Sequence, residues 1–215
     1  MNAGFARRVC ARTPIFACLV VCAALASPLH AQTPAAPQKQ DEAYTKLIKE
    51  YTQDARISTE LVDHMPVSDK VPSPLTFFGR IPGTPGELTY AKDIQRYYEA
   101  LAKSSPRFKY WTIGKSEEGR DMVLLAVADE ATIKTLDTHK AELNALTDPR
   151  RTTEAQARQI IKTAKPIYWV TAGMHSGETG GPEMLIELPY RLAVEETPFI
   201  QNIRKNVIVF ITPVL

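Results

Sequence analysis

His175 and Glu178, three residues apart, are the side chains in this chain best suited to chemistry. They stand in Met174-His-Ser-Gly-Glu178, between the apolar run 166–173 and Thr179-Gly-Gly-Pro-Glu183. A neutral imidazole nitrogen and a carboxylate oxygen each bind zinc at about 2.0–2.2 Å, and a catalytic zinc takes three protein ligands with a fourth position open. H-x-x-E is weakly specific by itself, and its setting strengthens it. Open α/β sheets carry their ligand sites at the carboxyl ends of strands. Gly173, Gly177, Gly180 and Gly181 give the backbone freedom to aim both side chains at one point.

Other readings compete for this turn. A phosphate cradle also uses glycines at a helix N-terminus, but the Lys-Ser/Thr of a P-loop is missing and Glu178 would repel phosphate. A nucleophile elbow needs Gly-x-Ser-x-Gly, and in Gly173-Met-His-Ser-Gly177 the serine is one place off. The bland alternative makes His175 a hydrogen-bonded turn residue and Glu178 a helix N-terminal carboxylate favoured by the dipole. No third ligand is evident. His30 falls in an N-terminal export signal, His64 ends a helix, and His139 sits on a charged helix where solvent exposure is the simplest expectation.

The elements that must position the pair follow from periodicity. Helices are expected over 42–65, 89–103, 130–146, 153–164 and 181–194, the last kinked or shortened by Pro189. The apolar face of the second is Ile94, Tyr97, Tyr98 and Leu101. Residues 32–40 read as a flexible leader, and the proline- and glycine-rich stretch 66–86 as an extended connector over a surface. Strands are expected over 108–113 and 122–128, joined as a hairpin through Gly114–Arg120, then 166–173 and 206–212. The apolar run 166–173 suits a strand covered on both faces. A hairpin followed by a strand–helix–strand unit implies an α/β fold with a mixed β-sheet flanked by helices on both faces. The chain stops just after a strand that would normally have neighbours on both sides, which suggests a truncated domain.

At these residues the chain resembles the zinc metallocarboxypeptidases, the carboxypeptidase A-like family. The strand–His-x-x-Glu–turn–helix of 166–183 carries the resemblance, with Ile113-Gly-Lys-Ser-Glu-Glu-Gly-Arg120 similar to the family's early hairpin. The helix at 89–104 and the strand at 206–215 match in the same order. The resemblance implies an eight-stranded mixed sheet in the full domain and a zinc held by two His and one Glu. It also implies a zinc-activated water attacking a peptide carbonyl, with a second Glu as general base and arginines gripping a terminal carboxylate. Carried over residue by residue, His175 and Glu178 are zinc ligands, and the third ligand, the base and the gripping arginine fall beyond Leu215. No residue here is assigned a catalytic role. Gly177 departs from the family pattern, which has Arg between the ligands, and this leaves room for peptide or amide substrates other than those with a free C-terminal carboxylate.

Composition sets the remaining expectations. Arg7, Arg8 and Arg12, the twelve apolar residues 15–26 and the small-residue segment 27–31 read as an export signal cleaved before Gln32. Twelve apolar residues are too few to span a bilayer, so no membrane association is expected after its removal. All three cysteines lie inside it, leaving a mature chain without disulfides, bound for the periplasm or outside. Losing its three arginines moves the formal net charge from +2 to −1, and nothing basic clusters with aromatics, so nucleic acid is not an expected partner. The organisation expected is signal 1–31, leader helix and connector 32–74, and the N-terminal part of a catalytic domain, 75–215. The expected activity is zinc-dependent peptide hydrolysis of carboxypeptidase type, with the 215-residue chain inactive alone. A non-catalytic peptide- or cell-wall-binding module and a related zinc amidohydrolase are the alternatives.

Overall fold

The computed structural model describes residues 37–215, so the export signal and its cleavage site lie outside the described residues. In chain order the elements are α1 (Glu42–Tyr51), α2 (Pro74–Phe78), α3 (Ala91–Ser104), β1 (Phe108–Lys115), β2 (Asp121–Val127), α4 (Glu130–Lys134) and α5 (Leu136–Thr147). They continue with α6 (Glu154–Ile160), β3 (Ile167–Thr171), α7 (Gly180–Val194), α8 (Pro198–Asn206) and β4 (Ile208–Thr212). The strands form one mixed sheet in the order β1-β2-β4-β3. β1 and β2 are an antiparallel hairpin, β4 runs antiparallel to β2, and β3 runs parallel to β4.

Period-2 burial divides the core into two layers. Val123, Leu125 and Val127 of β2 and Val209 and Ile211 of β4 face one way, against Ile94, Tyr97, Tyr98 and Leu101 of α3 and the apolar stripe of α7. Leu124, Ala126, Ile208 and Phe210 face the other way, against Leu136 of α5 and Ile133 of α4. Helices therefore cover both faces, as the element order implies. The four expected residues on α3 are fully buried.

Several boundaries differ from expectation, each for a local reason. The helix expected over 42–65 ends at Tyr51, where Thr52 turns to extended backbone and its hydroxyl also donates to the Ile48 carbonyl. Asp54 then caps a separate 3-10 turn at Arg56. The connector 66–86 is not merely surface-laid: it holds α2, capped by Ser73 with Pro74 in its first turn, and it buries Val71 and Ile81. The helix expected over 130–146 breaks at Thr135, whose hydroxyl hydrogen-bonds the Ala131 carbonyl. Thr153 opens α6 through a reciprocal capping box with Gln156. α8, unread in the sequence, starts on a Thr197 cap followed by Pro198, and it moves the start of the last strand to Ile208.

Two corrections concern the elements around the candidate ligands. Among the described residues β3 is not covered on both faces: it pairs with β4 alone, and Tyr168 and Trp169 are 66% and 52% exposed. Trp169 still packs edge-on against Phe210, and its indole N–H donates to the Thr212 hydroxyl at 3.0 Å. Pro189 neither ends nor shortens α7, which runs fifteen residues through it. A proline at that position cannot donate to the Leu185 carbonyl one turn back. The buried Tyr98 hydroxyl of α3 donates to that carbonyl instead, at 2.7 Å. No helix among the described residues is long and apolar enough to cross a membrane.

Candidate metal centre

The site forms where β3 gives way to α7. Pairing with β4 runs on past Thr171, since Ala172 donates to the Thr212 carbonyl and accepts from the Leu215 N–H. Gly173 then turns the chain with φ +68°, and a Cβ there would meet Val214 at 3.1 Å. A left-handed backbone and a tight neighbour both demand glycine at that point. Gly181 serves packing: its missing Cβ leaves room for Ala172, which brings the start of α7 against the end of β3. Gly177 and Gly180 meet neither demand, having no positive φ and open space around them.

Within this turn the Glu178 N–H donates to the His175 carbonyl at 3.0 Å, which folds the two side chains onto the same side. His175 Nδ1 and Glu178 Oε1 lie 3.0 Å apart. Two ligands of a tetrahedral zinc at ordinary bond lengths stand roughly 3.3 Å apart, so this donor pair needs only a small opening to accept a metal. Both side chains are largely exposed, at 70% and 66%, so neither carries a burial penalty that a ligand would have to offset. Glu178 also precedes the positive end of α7.

The pair lines a cleft of about 240 Å³ together with Leu88, Thr89 and Tyr90, the segment just ahead of α3. Glu183, in the first turn of α7, also lines it and is not among the candidates the sequence offers. Its residue is 8% exposed; Oε1 accepts from the Thr89 N–H at 2.6 Å, and Oε2 faces Arg80 Nη1 at 3.8 Å. Arg80 closes the loop by donating to the Thr89 hydroxyl at 2.6 Å. A carboxylate in the first turn of a helix was visible in the sequence; its partner 94 residues earlier was not.

The other histidines are elsewhere. His64 Nδ1 pairs with Asp63 at 2.6 Å, and His139 Nδ1 with Glu142 at 3.2 Å. His139 is tucked against its helix, its side chain 12% exposed, contrary to the expectation of full exposure. Among the described residues no group of three or more His, Cys, Asp or Glu side chains converges to hold a metal. The geometry therefore offers two zinc-type donors, side by side, in an open cleft.

Comparison with known proteins follows the same lines. Residues 94–215 match the family model described as zinc carboxypeptidase. Among solved structures, carboxypeptidase A of Helicoverpa armigera is similar at 19% identity with a TM-score of 0.42. That match covers 60% of this chain and 24% of the insect enzyme, so the chain spans about a quarter of that protein's length. Among curated proteins, none matches the sequence. With more than half of its length matched by the family model, the chain belongs to the zinc carboxypeptidase family.

Proposed function

We propose that His175 and Glu178 are two of the three protein ligands of a hydrolytic zinc, and that the activity they serve is peptide-bond hydrolysis of carboxypeptidase type. The observation that carries this reading is the 3.0 Å approach of Nδ1 and Oε1 at the carboxyl end of β3, inside an open cleft. A zinc bound there would act as a Lewis acid and lower the pKa of its bound water to about 7. What this chain's own residues do is narrower. His175 would donate a ring nitrogen and Glu178 would neutralise one positive charge, while Gly173 and Gly181 hold the turn against Val214 and Ala172. No lysine or arginine lines the cleft among the described residues, and Gly177 stands between the two donors. Both observations favour an uncharged peptide or amide group at this wall, and so keep an amidohydrolase activity as the second reading.

With two donors rather than three, this chain holds zinc weakly and is inactive by itself. Export to the periplasm or beyond belongs to the same proposal, supported by the basic, apolar and small-residue order of residues 1–31. The test is zinc competition against a chromogenic chelator with the full chain. Binding is expected to be weak, and His175→Ala or Glu178→Ala should each reduce it at least tenfold while leaving thermal unfolding within the effect of a surface substitution. Zinc uptake indifferent to both substitutions would remove the metal centre. Peptide hydrolysis by this chain, lost in Glu178→Ala, would overturn the claim of inactivity.

A further inference from the structure

Besides the donor pair, the cleft is lined by residues ahead of the part of the chain that matches the family model. That match begins at residue 94, and these residues are the segment from Leu88 to Ala91. Two observations make it a constructed surface rather than a passing loop. The first is the three-way clamp from Arg80 to Thr89 to Glu183, which ties the segment to the first turn of α7 through hydrogen bonds of 2.6 Å to Thr89. The carboxylate at its centre is nine-tenths buried, and its Oε2 has no hydrogen-bond partner. An ionised oxygen out of water is costly, so the fold retains Glu183 at some expense. The second is what the clamp presents: Leu88 and Tyr90, 61% and 75% exposed, are large apolar side chains lining the same cleft as His175 and Glu178.

We propose that Leu88 and Tyr90 form an apolar subsite for one side chain of the peptide whose bond is to be cleaved, and that Glu183 and Arg80 are the positioning residues that hold it. The occupant is an apolar residue carrying no free carboxylate. A cleft of about 240 Å³ suits one side chain rather than a whole ligand. The Arg80 guanidinium, bound to two residues of the cleft lining, is engaged with Thr89 and Glu183. This rests on the metal reading only for what is cleaved beside the subsite; the apolar recognition itself needs no metal.

The experiment follows backbone amide shifts of the full chain, with and without zinc, during titration of three probes: N-acetyl-phenylalaninamide, N-acetyl-alaninamide and N-acetyl-phenylalanine. The blocked phenylalanine probe should bind at least fivefold tighter than either of the others and shift the amides of 88–91 together with those of 173–179. Leu88→Ser and Tyr90→Ser, singly and together, should reduce that preference to below twofold. Glu183→Ala should do the same and speed exchange of the Thr89 amide at least tenfold. Glu183→Gln, which keeps an oxygen acceptor for that N–H, should restore most of both. Equal affinity for benzyl and methyl probes, or an unchanged preference in the serine variants, overturns the subsite. Unchanged Thr89 exchange in Glu183→Ala overturns the clamp. A chain that shows the preference yet takes up no zinc through His175 overturns the metal reading alone.

Discussion

Glu178 and Glu183 stand on either side of the start of α7 and could hardly be placed more differently. The first is two-thirds exposed and faces an equally exposed imidazole; the second is buried and tied to a backbone N–H from a distant segment. Farther along the same helix the polar ties multiply. Glu187 accepts from the Tyr44 hydroxyl at 2.9 Å and from Arg191 Nε at 2.6 Å, and Arg191 also reaches the Val62 carbonyl. One helix thus carries a loosely held end suited to ligands and an interior that fastens α1 and the segment at Val62 against it. Position, rather than residue type, decides which carboxylate can bind and which must stay in place: an exposed carboxylate gives up little to a metal, and a buried one is costly to disturb.

The contrast should break hardest at the interior end. Glu187→Ala leaves the Arg191 guanidinium, 6% exposed, without its carboxylate and strips the buried Tyr44 hydroxyl of its acceptor. Removing one partner of a buried pair costs about 3–5 kcal/mol. Urea unfolding should register that loss, while zinc uptake per folded molecule stays as in the parent chain. A cost below about 1 kcal/mol would mean that the cluster is solvated and that the two ends of α7 are not so different.

Next in size is Tyr98→Phe. Pro189 leaves the Leu185 carbonyl without its helical donor, and the Tyr98 hydroxyl is what satisfies it. Leaving that oxygen unpaired costs about 1–3 kcal/mol. The same hydroxyl gives a pH signature. Burial pushes the Tyr98 and Tyr97 hydroxyls well above the ordinary tyrosine range. A raised folded value means that the stabilisation is whole below the unfolded value, near pH 10, and is lost as pH climbs from there toward the folded one. Urea midpoints measured from about pH 8 to about pH 11 should therefore fall steeply in the parent chain and less steeply in Tyr98→Phe. Equal slopes would show that Tyr98 is not the group resisting ionisation.

These effects also mark how far the sequence could be read. The face of α3 was legible because four buried residues at helical spacing leave little choice, and β2 and β4 because they are short continuous apolar runs, as strands buried on both faces are. The turn at His175 was legible because three residues and a glycine bring both side chains together locally. What failed was non-local or compensated. An apolar strand looks the same whether or not a neighbour covers it, so the exposure of Tyr168 and Trp169 could not be foreseen. Pro189 looked like a break because its rescue comes from a tyrosine 87 residues from the carbonyl it satisfies. The Arg80–Thr89–Glu183 clamp joins a proline-rich connector to a helix start, with no periodicity to announce it. The Thr197-Pro198 start of α8, in contrast, was a local signal that could have been used.

The smallest effects lie in the turn, where two glycines of similar sequence context should part company. Gly173→Ala places a Cβ in left-handed backbone and against Val214, and the backbone conformation alone costs about 1–2 kcal/mol. Gly177 has no positive φ and nothing within 4 Å of where a Cβ would be, so Gly177→Ala should stay within about 0.5 kcal/mol of the parent and leave zinc affinity within about twofold. The same open space lets the position take a long side chain. Gly177→Arg would put a guanidinium between the two donors, in a cleft that has no lysine or arginine in its lining. If the lack of a cation in the lining is what disfavours a free carboxylate, N-acetyl-phenylalanine should gain at least fivefold over its amide in this variant, and the gain should fade as salt is raised. An arginine that folds normally and leaves the ratio of the two probes unchanged would show that charge at this turn does not choose the ligand.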